Sequence, residues 1–146
     1  VIIIVATAFY ILGNRGEDDA AEPVDIAALR SVAEAIPYDD LARYPDEYKG
    51  KPVIYTGKVV QVVSKTALRV SISQDQFGFW DDTVYVDLKE GAREVSLLEE
   101  DIIQLVGVAN GDYTYTAVLG NRITVPRITA YEISLLAKRG EPWPPK

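Results

Sequence analysis

The sequence predicts a mainly β protein: a small closed barrel of five strands, entered through short helices and preceded by an N-terminal apolar segment. Three observations carry that expectation. Apolar residues alternate at period two through Val53–Val63, Leu68–Ser73, Thr83–Leu88, Ile102–Ala109 and Ile123–Ile133, the pattern of strands with one buried face. Gly, Asn and Asp turn residues separate the runs. With 48% hydrophobic and 25% charged residues in 146, the composition is that of one ordinary globular domain, which excludes wholesale disorder and a collagen-like repeat.

The chain opens on Val1–Leu12, an uncharged run containing Val1, Ile2, Ile3, Ile4, Val5, Phe9, Tyr10, Ile11 and Leu12. As a helix it would reach only about 18 Å, short of the ~30 Å of a bilayer's hydrocarbon. Three readings fit it: the outer part of a longer spanning helix, a segment donated to neighbouring subunits of a filament, or part of the chain's own core. The chain begins at Val1 and holds no Met, so upstream residues are expected to be cleaved or to lie outside this sequence. An acidic linker follows, and its lack of Lys favours an extracytoplasmic barrel at a membrane or cell surface.

Asp25 is an N-cap candidate for a helix with Ile26, Leu29, Val32, Ala33 and Ile36 on one face, stopped by Pro37. Asp39 caps a second, which ends at Pro45, and Asp46–Pro52 reads as a turn. The strands begin at Val53, with Gly57 at a bend. Ser96 and Glu99 have capping-box spacing, which predicts one helical turn between the third and fourth strands. The last two strands join through a long hairpin with Gly120-Asn121 as its two-residue turn, and Pro126 must take an edge or bulge position. Five strands with a short helix after the third is the order of an OB-fold, a Greek-key barrel. The expected organisation is an apolar segment (1–13), a linker (14–24), short helices (25–45), the barrel domain (46–136) and a Pro-rich tail (137–146).

The stretch from Ile36 to Lys51, running into Tyr55-Thr56-Gly57-Lys58-Val59, together with Glu99–Ala109 and Gly120–Pro126, resembles membrane-tethered or lipoprotein OB-fold domains of bacterial cell surfaces. These belong to the tRNA-anticodon-binding-like OB group. The resemblance covers residues 36–133 and implies a fold far more than an activity. A lipoprotein carries a lipid-bearing Cys and this chain has none, so any anchoring falls to the apolar segment.

Cys and His are both absent, which removes disulfides, thiolate nucleophiles, the usual zinc and haem ligands and the near-neutral proton shuttle. No carboxylate pair or Ser-Lys spacing singles out a catalytic centre, so a non-catalytic protein without cofactors or a metal site is expected. Asp75, Asp81 and Asp82 carry calcium-type oxygens but lack the spacing of an EF-hand loop. Fifteen basic against 22 acidic residues give a net charge of −7, on which nucleic acid is an unlikely partner, although Lys65, Arg69, Tyr85, Tyr113, Tyr115 and Arg122 fall on the usual OB ligand surface. The expected contacts are other protein subunits, through Phe77, Phe79 and Trp80 in one loop, Tyr113 and Tyr115 on the long hairpin, and Trp143 in a stiff Pro-rich tail. The expected role is thus a structural subunit of a membrane-associated complex, with a filament subunit as the alternative and single-strand nucleic-acid binding as the lesser one.

Overall fold

The first described helix is started by a side-chain cap. In the computed structural model, which describes residues 24–145, α1 spans Ile26–Val32, and the Ala28 amide donates to Asp25 Oδ1 at 3.1 Å. Leu29 is fully buried in a cluster with Val106. Arg30 ties the helix to the barrel, donating to Gln104 Oε1 at 2.7 Å and forming an ion pair with Glu132. The helix stops four residues before the expected Ile36. From Ala33 the backbone is extended, and Glu34 bridges in parallel to Val53, its amide bonding the Pro52 carbonyl and its carbonyl accepting from Ile54. A sheet edge offering both partners outcompetes one more helical turn. Ile36 is buried as expected, and its carbonyl accepts a 2.5 Å bond from the Tyr55 hydroxyl.

Two more short helices follow, α2 over Tyr38–Arg43 and α3 over Pro45–Tyr48. Asp39 lies within α2 rather than capping it, because Pro37 supplies the preset φ at the cap. Pro45 starts α3 at its first position instead of closing a turn, since the missing N–H would be unpaired there anyway.

The strands are β1 Pro52–Ser64, β2 Ala67–Gln74, β3 Trp80–Leu88, β4 Ile102–Thr116 and β5 Arg122–Ala137. They close a barrel in the order β1-β2-β3-β5-β4, with β4 returning to β1. All pairs are antiparallel except β3 with β5, which run parallel over Tyr85–Leu88 and Arg127–Ala130. This is the expected mainly β, five-stranded OB-type barrel preceded by short helices. The interior is filled by alternate residues of every strand, among them Val53, Val59, Val70, Val84, Ile103, Leu105 and Ile128. Ile36 and Leu41 join that cluster from the helices, and the Gly50 amide bonds Ala109 O, which sets α3 at the Pro52–Val108 end. Leu97 joins it from the β3–β4 connection, which meets β1 near the opposite end through Glu100 N and Val59 O.

That connection forms no helical turn. The Leu98 amide is taken at 2.7 Å by Asp101 Oδ2, so the acceptor that organises the bend is Asp101 rather than Ser96. The β4–β5 pair runs on past the barrel as a ribbon, Asp112–Thr116 against Arg122–Pro126, after a bulge between Ala109 and Asp112. Pro126 sits opposite Asp112 beside that bulge, as a residue without an N–H must. Residues 117–121 form the tip, five residues rather than two, with Ala117 and Asn121 bonded through Ala117 N and Asn121 O. No helix among the described residues is long and apolar enough to cross a membrane, and the apolar segment Val1–Leu12 lies outside them.

Burial raises the pKa of Tyr55 far above the ordinary tyrosine range, and burial also raises that of Tyr131. A raised folded-state value contributes stability that is complete below the unfolded value, about pH 10, and is lost as pH rises towards the folded one. Unfolding followed by far-UV circular dichroism should therefore set in above about pH 10, together with the rise of tyrosinate absorbance. β signal retained after the rise of tyrosinate absorbance is complete would contradict this.

Candidate functional site

The outward face of β2 and β3 carries the polar residues that alternate with the core: Arg69, Ser71 and Ser73 on one strand, Asp81, Thr83, Tyr85 and Asp87 on the other. Arg69 pairs with Tyr85 and Ser71 with Thr83 in the ladder. The β4–β5 ribbon folds across this face, packing Tyr113, Tyr115 and Ile123 around Ala67, Tyr85 and Val125. The Tyr85 and Tyr113 rings stack with centroids 3.9 Å apart and an interplanar angle of 18°, and Tyr113 lies 6.4 Å from Tyr115.

Two guanidinium groups bracket the tyrosines. Arg69 lies over Tyr115 at 4.9 Å, and Arg127 lies 5.5 Å from the Tyr113 centroid and 5.9 Å from that of Tyr85. Arg127 Nε donates to Asp87 Oδ2 at 2.5 Å, and that hydrogen bond raises its pKa further. Arg69 Nη1 donates to Gln61 Oε1 at 2.8 Å, while its Nε is buried with no hydrogen-bond partner among the described residues. Tyr38 of α2 belongs to the same neighbourhood: burial raises its pKa, followed by the charges of Asp82 and Asp81. Burial and the Tyr113 hydroxyl likewise raise that of Tyr85. The Tyr38 and Tyr85 phenols are therefore neutral near pH 7.

The β2–β3 turn is built to hold two rings outward. Asp75 Oδ1 accepts from the Phe77 amide at 2.8 Å and the Phe79 amide at 2.9 Å, and Gly78 supplies a φ of +90°. The Asp75 carboxylate thereby has a backbone role. Phe77 and Phe79 are left 75% and 71% exposed, whereas Trp80 is half-buried at the start of β3. Trp143 does not extend away on a stiff arm. It faces Trp80 across an open cleft of about 380 Å³, whose other walls include Lys58, Glu100, Ile102 and Glu141.

Of the contact residues expected from sequence, Phe77 and Phe79 are thus free surface, Trp80 and Trp143 share one cleft, and Tyr113 and Tyr115 pack on the chain's own sheet. Sequence reading grouped Arg69, Tyr85, Tyr113 and Tyr115 only through the general habit of the fold. It missed Arg127, which sits two positions from Val125 in a strand that reads as core.

No family model matches the chain, and no curated protein matches its sequence. Similar solved structures include the mitochondrial single-stranded DNA-binding protein of S. cerevisiae, at 13% identity and TM-score 0.38, covering 60% of this chain and 96% of that one. The small single-stranded DNA-binding protein of Streptomyces coelicolor is 15% identical, with TM-score 0.38, covering 58% and 93%. Aspartyl-tRNA synthetase of Entamoeba histolytica is 13% identical, with TM-score 0.49, covering 77% of this chain but 23% of the synthetase. At such identities the likeness is one of barrel architecture.

The expectation that nucleic acid is an unlikely partner is corrected here. Single-stranded DNA-binding proteins stand among the structural neighbours. The argument from net charge also averaged over the whole chain, whereas Arg69 and Arg127 are gathered on rings at one face and Asp87 there is ion-paired.

Proposed function

We propose that this chain is a non-catalytic OB-fold module that binds single-stranded nucleic acid along the β2–β3 ribbon. The observation that carries the reading is the joining of cations to rings on one pair of strands. Guanidinium groups at Arg69 and Arg127 lie over the tyrosine stack, and two bare phenyl rings stand on the turn beyond it. Single strands are held by such a combination: phosphates track the cations, and bases stack on aromatic faces regardless of their identity. Phe77 and Phe79 supply faces already free of protein contact, and Tyr115 with Arg69 supplies the edge of the site nearest the ribbon.

Asp81 and Asp82 lie in β3 itself and weaken the hold on phosphate, so stacking supplies most of the affinity. With Arg127 paired to Asp87 and Arg69 left to meet phosphate, the slope of log K against log salt on a single strand is about −0.7. Titrating the chain with a labelled oligothymidine at low salt should give saturable binding with that shallow slope. Phe77→Ala and Phe79→Ala should each weaken it about tenfold, in line with ~1–3 kcal/mol per stacked base. Tyr115→Ala should do the same at the other edge. Binding that is absent at low salt, or that is unchanged in all three variants, would remove the reading.

A further inference from the structure

The cleft between Trp80 and Trp143 is lined by none of the stacked tyrosines, and hydrogen bonds fix both of its sides. On one side Trp80 pairs with Gln74 in the β2–β3 ladder, and Gln74 Nε2 donates to Gly78 O at 3.2 Å across the turn. On the other, Lys138–Glu141 closes as a tight turn. Glu141 N donates to Lys138 O at 2.9 Å, Lys138 N donates to Glu141 Oε1 at 2.7 Å, and Gly140 takes a φ of +88°. Asp101 Oδ1 takes the next amide, that of Arg139, at 3.0 Å. Ile102 of β4, opposite Lys58 in the β1–β4 ladder, also borders the cleft. At about 380 Å³ the space falls in the range of small-molecule sites, about 300–1,000 Å³.

The chemistry of the walls selects the charge of the ligand. Both tryptophans of the chain border the cleft and are half-buried. Among the described residues neither indole is stacked on another ring or covered by a cation of the chain. Of the aromatic side chains, indole offers a cation the best face. Two carboxylates, Glu100 and Glu141, line the space against one ammonium, Lys58, and Lys58 Nζ lies 4.0 Å from Glu100 Oε1. The Glu141 carboxylate accepts from a neutral amide and has no basic partner among the described residues. An anionic ligand would meet that surplus negative charge, in a chain of net charge −7. A small inorganic cation keeps its water, whereas a trimethylammonium group carries its charge under an apolar surface of methyls that packs on indole faces. We propose that the cleft binds a small molecule bearing a trimethylammonium group, its methyls against Trp80 and Trp143 and its charge offset by Glu141. The site shares no side chain with the proposed nucleic-acid surface and does not rest on that reading.

The chain has two tryptophans and both border the cleft, so its tryptophan emission reports this site alone. The test titrates the full chain, in mild non-ionic detergent, with choline chloride. A saturable change in emission is expected, half complete at roughly 1 mM, a weak affinity that suits a small open site. Sodium chloride at matched ionic strength should produce none. The neutral analogue of choline, with a tert-butyl group in place of the trimethylammonium, has the same shape without the charge and should bind at least about tenfold more weakly. Glu141→Gln keeps the size of the side chain and removes its charge, so it should weaken choline about threefold, and Lys58→Gln should strengthen it about twofold. Trp143→Ala, with Trp80 left as the reporter, should weaken it about tenfold or more. The proposal is overturned by the lack of a saturable change, by a neutral analogue that binds as well as choline, or by undiminished affinity in Glu141→Gln and Trp143→Ala. If Trp143→Ala fails to fold, the neutral analogue and Glu141→Gln decide alone.

Discussion

Replacing Gly107 by alanine should destabilise the barrel by about 3 kcal/mol or more, at the upper end of what overpacking does. Gly107 sits where β4 crosses the β5 ladder, beside a bulge between Val106 and Gly107, opposite Ala130. A Cβ there would lie 2.0 Å from the Thr129 carbonyl oxygen and 2.8 Å from Ala130 Cα. Both obstacles are backbone of a strand that is itself paired with β3, so no side-chain rotation relieves the clash and the closure of the sheet must open. Gly57 makes a graded comparison. Its Cβ would meet a methyl of Val70 at 2.5 Å and Ser71 O at 2.7 Å, and since the methyl can turn aside, Gly57→Ala should lose less than Gly107→Ala. Gly91→Ala meets open space at a φ of +80° and should lose only about 1 kcal/mol, the strain of a left-handed residue. Urea unfolding followed by tryptophan fluorescence measures all three. A loss below about 1 kcal/mol at Gly107 would mean that β4 and β5 are not packed backbone to backbone.

Such close approach cannot be read from a sequence, where Gly107 is one more glycine in an apolar strand. The strands themselves were legible because a half-buried strand writes its period into the chain, and the five runs from Val53 onward match β1 to β5 with longer ends. The misreadings fall where local signals compete with tertiary partners. Ala33–Ile36 keeps helical spacing, yet Glu34 pairs with the edge of β1 instead. Ser96–Glu99 has the capping spacing, but Asp101 is buried close enough to take the Leu98 amide first. The candidate site was half legible. Phe77 and Phe79 stood out by density, and their outward setting follows from Asp75, a local turn residue. The tyrosine stack depends on a ribbon that folds over strands more than 25 positions away, and Arg127 enters it only because β5 runs parallel to β3. Net charge says little here, because a sum over 146 residues does not show that Arg69 and Arg127 gather on one face, where Asp87 is ion-paired to Arg127.

Asp101 should prove the least replaceable polar residue. It is 3% exposed and takes two backbone donors, Leu98 N on Oδ2 at 2.7 Å and Arg139 N on Oδ1 at 3.0 Å. It therefore fastens the end of the β3–β4 connection to the chain segment that leaves β5. Its own carbonyl accepts from Val59, so β1 is fixed at the same point. Asp101→Ala strands both amides, and at about 1.5–3 kcal/mol for each hydrogen bond to a charged acceptor, partly offset by water reaching the opened site, a loss of about 3 kcal/mol is expected. Asp101→Asn keeps one acceptor and turns an N–H towards the other donor, so it should lose about half as much. The two variants separate anchoring from mere space filling, because the asparagine has the same volume. A structural consequence goes with the energetic one. Arg139 leads directly into Gly140 and on to Trp143, so releasing its amide should loosen Trp143 from the cleft it shares with Trp80. The alanine variant should show red-shifted tryptophan emission in the folded baseline before any unfolding. Unchanged emission with a loss under about 0.5 kcal/mol, the range of ordinary surface substitutions, would show that neither amide relies on this carboxylate.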